Sequence, residues 1–268
     1  MKKHLALVAA LALTAVGTGA FAQDDTVRGG NGVTVGEPVT PVGINVDLRN
    51  LPTAPQWRPG QAIREAQRRV YHPLDAVAPH APADWSTAPD RLGELQEVFD
   101  LSSRSAGDVQ FRSGGRINID NGNTGVSPGD PVIEVGTNHI LYGINSSGGT
   151  TFKVYNKSGT LLSGPTTFKS LAPAGDPCAT SVSDPIILFD RLANRWFMLE
   201  MGGTSSSNRL CTYVSKTSDP VSGGWWFYGF ATPAVPDYPH CGVWNNAYVC
   251  TVNESGTGAK VYVFDRAN

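Results

Sequence analysis

The sequence predicts an all-β fold built from repeated strand units and preceded by a mostly irregular N-terminal arm. Three observations carry this expectation. The stretch from Asp184 to Phe230 reads as four short strands joined by turns, and less perfect copies lie on either side of it. The composition is rich in Gly, Pro, Ser, Thr and Asn, with only 16% charged residues. Strands joined by many tight turns have this make-up. Turn residues recur at a regular spacing from Asp130 onward.

In chain order, Met1–Ala22 is expected to be a signal peptide. Lys2 and Lys3 precede the uncharged apolar run Leu5–Val16, and Ala20-Phe21-Ala22 is a small-x-small cleavage site. The apolar run is shorter than the roughly 20 residues a membrane-spanning helix needs. Removing two lysines and no acids leaves 19 basic and 23 acidic residues, a net charge of −4. That balance argues against non-specific nucleic-acid binding. The signal peptide places the chain outside the cytoplasm, as a secreted protein, periplasmic or extracellular.

Residues 23–107 form the arm, rich in Pro, Ala and Arg. Gln61–Tyr71 is expected to be one short helix stopped by Pro73. Arg64, Arg68 and Arg69 make its surface basic, which fits a docking segment or simply a solvated helix. Leu92–Leu101 reads equally as a second helix or a strand. Order is expected from residue 108. Val109–Arg112 alternates as a strand does, and Ile117–Ile119 follows. Asp120, Asn121 and Asn123 sit in a polar loop that offers oxygen ligands to calcium. It lacks the spaced acids and closing Glu of an EF-hand, and its side chains could equally bond their own backbone in a turn.

The repeats begin at Asp130. Asp130-Pro131, Asp184-Pro185 and Asp237-Tyr238-Pro239 mark similar positions, 54 and 53 residues apart by the aspartates. Each is followed by a first strand (Val132–Val135, Ile186–Asp190, Cys241–Trp244), an Asn-containing turn and a second strand (Ile140–Asn145, Trp196–Met201, Ala247–Val252). A small-residue loop and a third strand follow (Phe152–Asn156, Leu210–Ser215, Lys260–Asp265). The first two units add a fourth, near Thr160–Ser163 and Trp225–Phe230. A period of about 50 residues with four strands per unit is the pattern of β-propeller blades. The expected region is 108–268, with units near 130–170, 184–230 and 237–268: a partial propeller of about three four-stranded blades, the last incomplete. A β-sandwich of unrelated hairpins is the alternative. Propellers close with about 4–8 blades, so the chain reads as a fragment, a truncated reading frame or a partial ring completed by another chain. An open blade edge and an unburied blade face would favour self-association. A monomer resistant to heat and protease would contradict this.

Four cysteines in a secreted chain imply disulfides. Cys241–Cys250 follows from a hairpin centred on Asn245-Asn246, which puts Trp244 opposite Ala247, Val243 opposite Tyr248, and Cys241 opposite Cys250. These two fall at a non-hydrogen-bonded pair, about 4.5 Å apart at Cα, within disulfide range. Cys178–Cys211 follows by exclusion. The spacing does not suit a zinc site.

Candidate functional residues are few. Asp130, Asp184 and Asp237 share a repeat position, so a ring of carboxylates could hold calcium or a cationic group. Alternatively each Asp-Pro only initiates a strand, with the Asp oxygen capping nearby N–H groups. Trp196, Trp225, Trp226 and Trp244 are expected as core residues between blades rather than a carbohydrate platform. His72, His80, His139 and His240 are scattered, with His240 expected in a turn, and no HExxH or Gly-x-Ser-x-Gly motif is present. No catalytic residue is assigned, and no cofactor is required, with calcium possible.

Asp184–Trp196 with Thr217-Ser218-Asp219-Pro220, together with Asn123–Pro128 and Val135–His139, resembles a family of secreted bacterial β-propeller-type proteins over roughly Asp120–Arg266. Ser218–Trp225 is also similar to the Asp-box of sialidase-type propellers and falls between third and fourth strands as that motif does. The resemblance implies a structural role for this turn. The sialidase arginine cluster, paired Tyr–Glu and Phe/Tyr-Arg-Ile-Pro element are not found, so the resemblance implies the fold and not the activity. The expected function is a secreted, non-catalytic propeller module binding a surface glycan or protein. The alternative is a sialidase-like propeller glycosidase with part of its site outside this sequence.

Overall fold

The structure, a computed structural model, describes residues 36–65, 122, 124–204, 207–254, 256 and 258–266. Among them the fold is all-β, with several antiparallel sheets, none of them closed. Val39–Asn268 forms one compact unit. Within the arm, β1 (Val42–Ile44) precedes a 3-10 turn at Leu48–Asn50, and β2 (Arg64–Glu65) pairs in parallel with β3 (Val126–Ser127).

Three sheets follow. The first runs β4 (Val132–Val135), β5 (His139–Ser146), β6 (Gly149–Asn156) and β7 (Leu161–Thr167). The second runs β8 (Ser181–Asp190), β9 (Arg195–Thr204), β10 (Ser207–Ser215) and β11 (Trp225–Ala231). The third holds β12 (Pro236–Val243), β13 (Ala247–Glu254) and β14 (Gly258–Asp265). All three are meanders, in which each strand pairs antiparallel with the next. Every expected repeat strand is present, most a few residues longer than expected.

The sheets pack in series. β8 lies against β4, β5 and β6, and β12 lies against β8, β9 and β10. Alternation along each strand sends neighbouring residues to opposite faces. The second sheet is therefore apolar on both. Towards the first sheet it presents Ile187, Phe189, Trp196, Met198, Tyr213, Trp225 and Phe227, which pack with Leu141, Phe152 and Val154. Towards the third it presents Phe197, Leu199, Leu210 and Val214, which pack with Tyr248, Cys250, Val252 and Phe264. The Phe197 and Tyr248 rings stack at 4.4 Å. Side chains of this size contribute about 1.5–3 kcal/mol each on full burial. This packing orients the strand ends that carry the candidate site.

Part of the arm is built in. β1 adds to the outer edge of β11 as a fifth strand, with Ile44 opposite Trp225. Leu48 and Ala54 are buried. The Leu48 N–H donates to the Val221 carbonyl, and the Ala54 N–H to that of Pro165. The helix expected from Gln61 gives way to a strand at Arg64–Glu65, because the Arg64 N–H is taken by the Gly125 carbonyl at 2.7 Å. Residues 66–71, Leu92–Leu101, Val109–Arg112 and Ile117–Ile119 lie outside the described residues.

Both disulfides form as expected. Cys241 and Cys250 are register partners with Cα atoms 4.1 Å apart. Cys178, in a 3-10 turn at Pro177–Ala179, joins Cys211 on β10, with Cα atoms 5.7 Å apart. No helix among the described residues is long and apolar enough to cross a membrane. Two disulfides fit an extracellular or periplasmic location.

Candidate functional site at the strand-entry corners

The first strand of each of the three sheets carries the same backbone device, just before β4 and within the irregular opening residues of β8 and β12. Asp130, Asp184 and Tyr238 have φ of 43°, 63° and 54°, and each immediately precedes a proline. A proline disfavours the right-handed helical region for the residue before it. Left-handed backbone at a residue with a Cβ costs roughly 1–2 kcal/mol. The equivalent of Asp130 and Asp184 in the third unit is therefore Tyr238, not Asp237. The spacing by corner is 54 residues both times. Asp237 lies one residue earlier, opposite Asn253, before a register shift that separates it from His240.

The corners are joined through Asn145, a buried residue of β5. Its side-chain NH2 donates to Asp130 Oδ2 at 3.1 Å and to Asp184 Oδ1 at 3.4 Å. Its Oδ1 accepts the Asp184 N–H at 2.9 Å. Asp184 Oδ2 in turn accepts the Tyr238 N–H at 3.3 Å. Burial, followed by the nearby Asp184 charge, pushes the Asp130 carboxyl above its usual value, against the hydrogen bond from Asn145.

The Tyr238 ring is 58% exposed and meets the His240 ring edge-on at 4.4 Å. His240 is an exposed residue of β12 rather than of a turn. The corner thus joins two half-buried carboxylates to the backbone of a residue whose side chain is exposed. Carboxylates accept hydrogen bonds from hydroxyls or ammonium groups, and an aromatic face packs against apolar or cationic ones.

Of the expected calcium ligands, Asp130 and Asp184 come together at Asn145, Asp237 lies one residue before the third corner, and Asp120, Asn121 and Asn123 lie outside the described residues. Among the described residues no group of three or more His, Cys, Asp or Glu is gathered as a metal site.

The other candidates have structural work. Trp196 and Trp225 are fully buried, and their indole N–H groups donate to the carbonyls of Ser218 and Pro220. Trp226 and Trp244, expected in the core, are instead exposed, because among the described residues no sheet packs over the start of β11 or the β12–β13 turn that carries them. The Lys216 ammonium lies 4.1 Å from the Trp226 ring, and Trp244 stands on the β12–β13 turn. Asp219 caps its own turn, accepting from the N–H groups of Val221 and Ser222 and from the Ser222 hydroxyl. His139 Nε2 approaches Asp219 at 4.0 Å. His72 and His80 lie outside the described residues. A shallow cleft between Trp57 and the outer side of β5 and β6 has room for roughly one water.

A second charged cluster escapes the repeat pattern. Asp190 is completely buried at the β8–β9 turn. Its Oδ1 accepts from the N–H groups of Leu192 and Ala193 at 3.0 Å each. Its Oδ2 accepts from Arg266 Nε at 2.6 Å and from the Tyr248 hydroxyl at 2.8 Å. Arg195 donates to Tyr248 Oη at 3.0 Å and to the Arg266 carbonyl at 2.5 Å. Burial raises the Asp190 carboxyl, but hydrogen bonds from Arg266, Ala193 and Tyr248 outweigh it and hold it below its usual value. This cluster ties the second sheet to the third.

No signal in the sequence marks Asn145, because its role arises from a neighbouring unit. The Pro131, Pro185 and Pro239 spacing is the signal that marks Tyr238. The chain matches no protein-family model, no curated protein and no solved structure.

Proposed function

We propose that this chain is a secreted, non-catalytic module of the β-propeller type that binds a glycan at its strand-entry corners. The observation that carries the reading is the exposed Tyr238, whose backbone N–H is held by Asp184 in the Asp130–Asn145–Asp184 bridge. The ring offers a stacking face and the carboxylates offer acceptors for sugar hydroxyls. The serial packing of four-, four- and three-stranded meanders supports propeller blades over a sandwich of unrelated hairpins. The left-handed corner recurs at the expense of local stability, and such strain clusters at functional sites.

A glycan array probed with the purified chain tests this. Binding to a subset of glycans is expected, reduced at least tenfold by Tyr238→Ala and by Asp184→Asn. An array without hits, beside a protein captured from the cell surface, would move the ligand class to protein. A second reading, a propeller glycosidase, draws on the raised Asp130 carboxyl next to Asp184. A retaining enzyme holds its two carboxyls about 5–5.5 Å apart, one of them protonated. Hydrolysis of aryl glycosides that is lost in Asp130→Asn would favour it over simple binding.

A further inference from the structure

Ile133 and Val135 occupy in the first sheet the positions that Ile187 and Phe189 occupy in the second and Cys241 and Val243 in the third, counted from Pro131, Pro185 and Pro239. Ile187 and Phe189 are buried against the first sheet, and Cys241 and Val243 pack against the second. Ile133 and Val135 remain 63% and 40% exposed. The opposite end of the series shows the complementary feature. On β14, Tyr262 and Phe264 face the second sheet, while the alternate residues Val261 and Val263 point away and are 65% and 64% exposed. Val249 pairs with Val263 and lies on the same outer face.

The same contact is made twice within the chain: the first strand of one sheet lies across the face of the sheet before it, β8 on β4–β6 and β12 on β8–β10. The outer face of β13–β14 has what a third such contact needs from the preceding side, and β4 has what it needs from the following side. We propose that this chain associates head to tail with a second copy, the β4 strip of one seated on the outer β13–β14 face of the other. The occupant is a second copy because the matching surface, an apolar strip on a first strand, is present on this chain and follows the rule its own interfaces obey. Such a contact is heterologous. Two copies that reciprocate would place six sheets in one cycle, within the range over which propellers close. This inference rests on the sheet packing and not on the ligand reading.

The test uses the purified chain in sedimentation velocity over roughly 1 to 100 µM, where mass action reveals association. A dimer is expected, converted to monomer both by Val261→Asp with Val263→Asp and by Ile133→Asp with Val135→Asp. Each of these variants keeps one intact surface, so mixing the two restores a 1:1 complex. Near-UV circular dichroism of Trp196 and Trp225 reports folding. The milder pairs Val261→Thr with Val263→Thr and Ile133→Thr with Val135→Thr weaken association at least tenfold without adding charge. A wild-type monomer at every concentration would overturn the proposal. So would dissociation by only one of the two surfaces, or failure of the two variants to combine.

Discussion

Asp190→Asn tests whether the third sheet is locked to the second by electrostatics. The change keeps shape and leaves one oxygen, enough for the Leu192 and Ala193 N–H groups. It replaces the other with an NH2 that faces the Arg266 guanidinium and the Tyr248 hydroxyl, both of which donate to Asp190. Breaking a buried, hydrogen-bonded ion pair costs about 3–5 kcal/mol, against roughly 0.2–1 kcal/mol for an exposed one. Asp190 is fully buried and the Arg266 side chain 14% exposed, which sets the expectation near the lower end, about 3 kcal/mol. Urea unfolding followed by tryptophan fluorescence measures it, with the slope against denaturant unchanged. The Asp190 carboxyl is held below its usual value in the fold. Its contribution is therefore complete above the unfolded value of about 3.9 and disappears as pH falls through the lowered folded value. A loss below about 1 kcal/mol at pH 7, or a wild-type advantage that persists in strong acid, would refute the reasoning.

Other expectations follow from the same packing. Replacing Cys178 and Cys211 by Ser opens a loop of 33 residues and should cost about 4 kcal/mol on the chain-entropy scale, against about 3 kcal/mol for Cys241 and Cys250, both read from urea midpoints. Trp196→Ala should lose about 3–5 kcal/mol, while Trp244→Ala stays within about 0.5 kcal/mol; comparable losses would contradict the burial assigned to each. The Tyr248 phenol is pushed up to about 12 by burial and the neighbouring Asp190 carboxylate. The stability it supplies is present below the unfolded value of about 10 and declines as pH rises from there towards 12, and ultraviolet titration should show Tyr248 ionising late together with Tyr213 and Tyr262, which burial and a neighbouring glutamate also push up, with Tyr248→Phe removing one of these late steps. Tyr238→Gly should stabilise the fold by about 1 kcal/mol by relieving the left-handed backbone and abolish glycan binding; a destabilised variant would mean the corner is not strained.

The hairpins were legible because strand alternation, Asn turns and Gly loops are local properties of the chain. Trp244-Asn245-Asn246-Ala247 sets its own register, and Cys241 opposite Cys250 follows from it. Long-range features left no comparable mark. Val42–Ile44 carries three ordinary residues, and only the free edge of β11 makes them a strand. Arg64 reads as helical until Gly125 takes its N–H. Trp225 and Trp226 are adjacent and chemically alike, yet the packed face of β11 takes the first and the side chain of Lys216 covers the second. At the candidate site, Asp130 and Asp184 were legible from their repeat position. Their coupling was not, because Asn145 reaches both from a strand of another unit. Counting aspartates rather than prolines displaced the third corner by one residue, and the register shift in β12 hides that error from any reading of pattern alone.

The docking of β1 on β11 also governs the order in which the fold can assemble. A chain made from its N-terminus presents Val42–Ile44 early, but their partners from Trp225 to Phe227 arrive only after both complete meanders have been synthesised. Closing so long a loop carries an entropy cost that must be met before pairing returns anything. The fifth strand therefore joins a second sheet already held by local hairpins, and until then the segment waits unpaired. Its prolines at 41, 52, 55 and 59 keep such a waiting segment from pairing prematurely with the wrong edge.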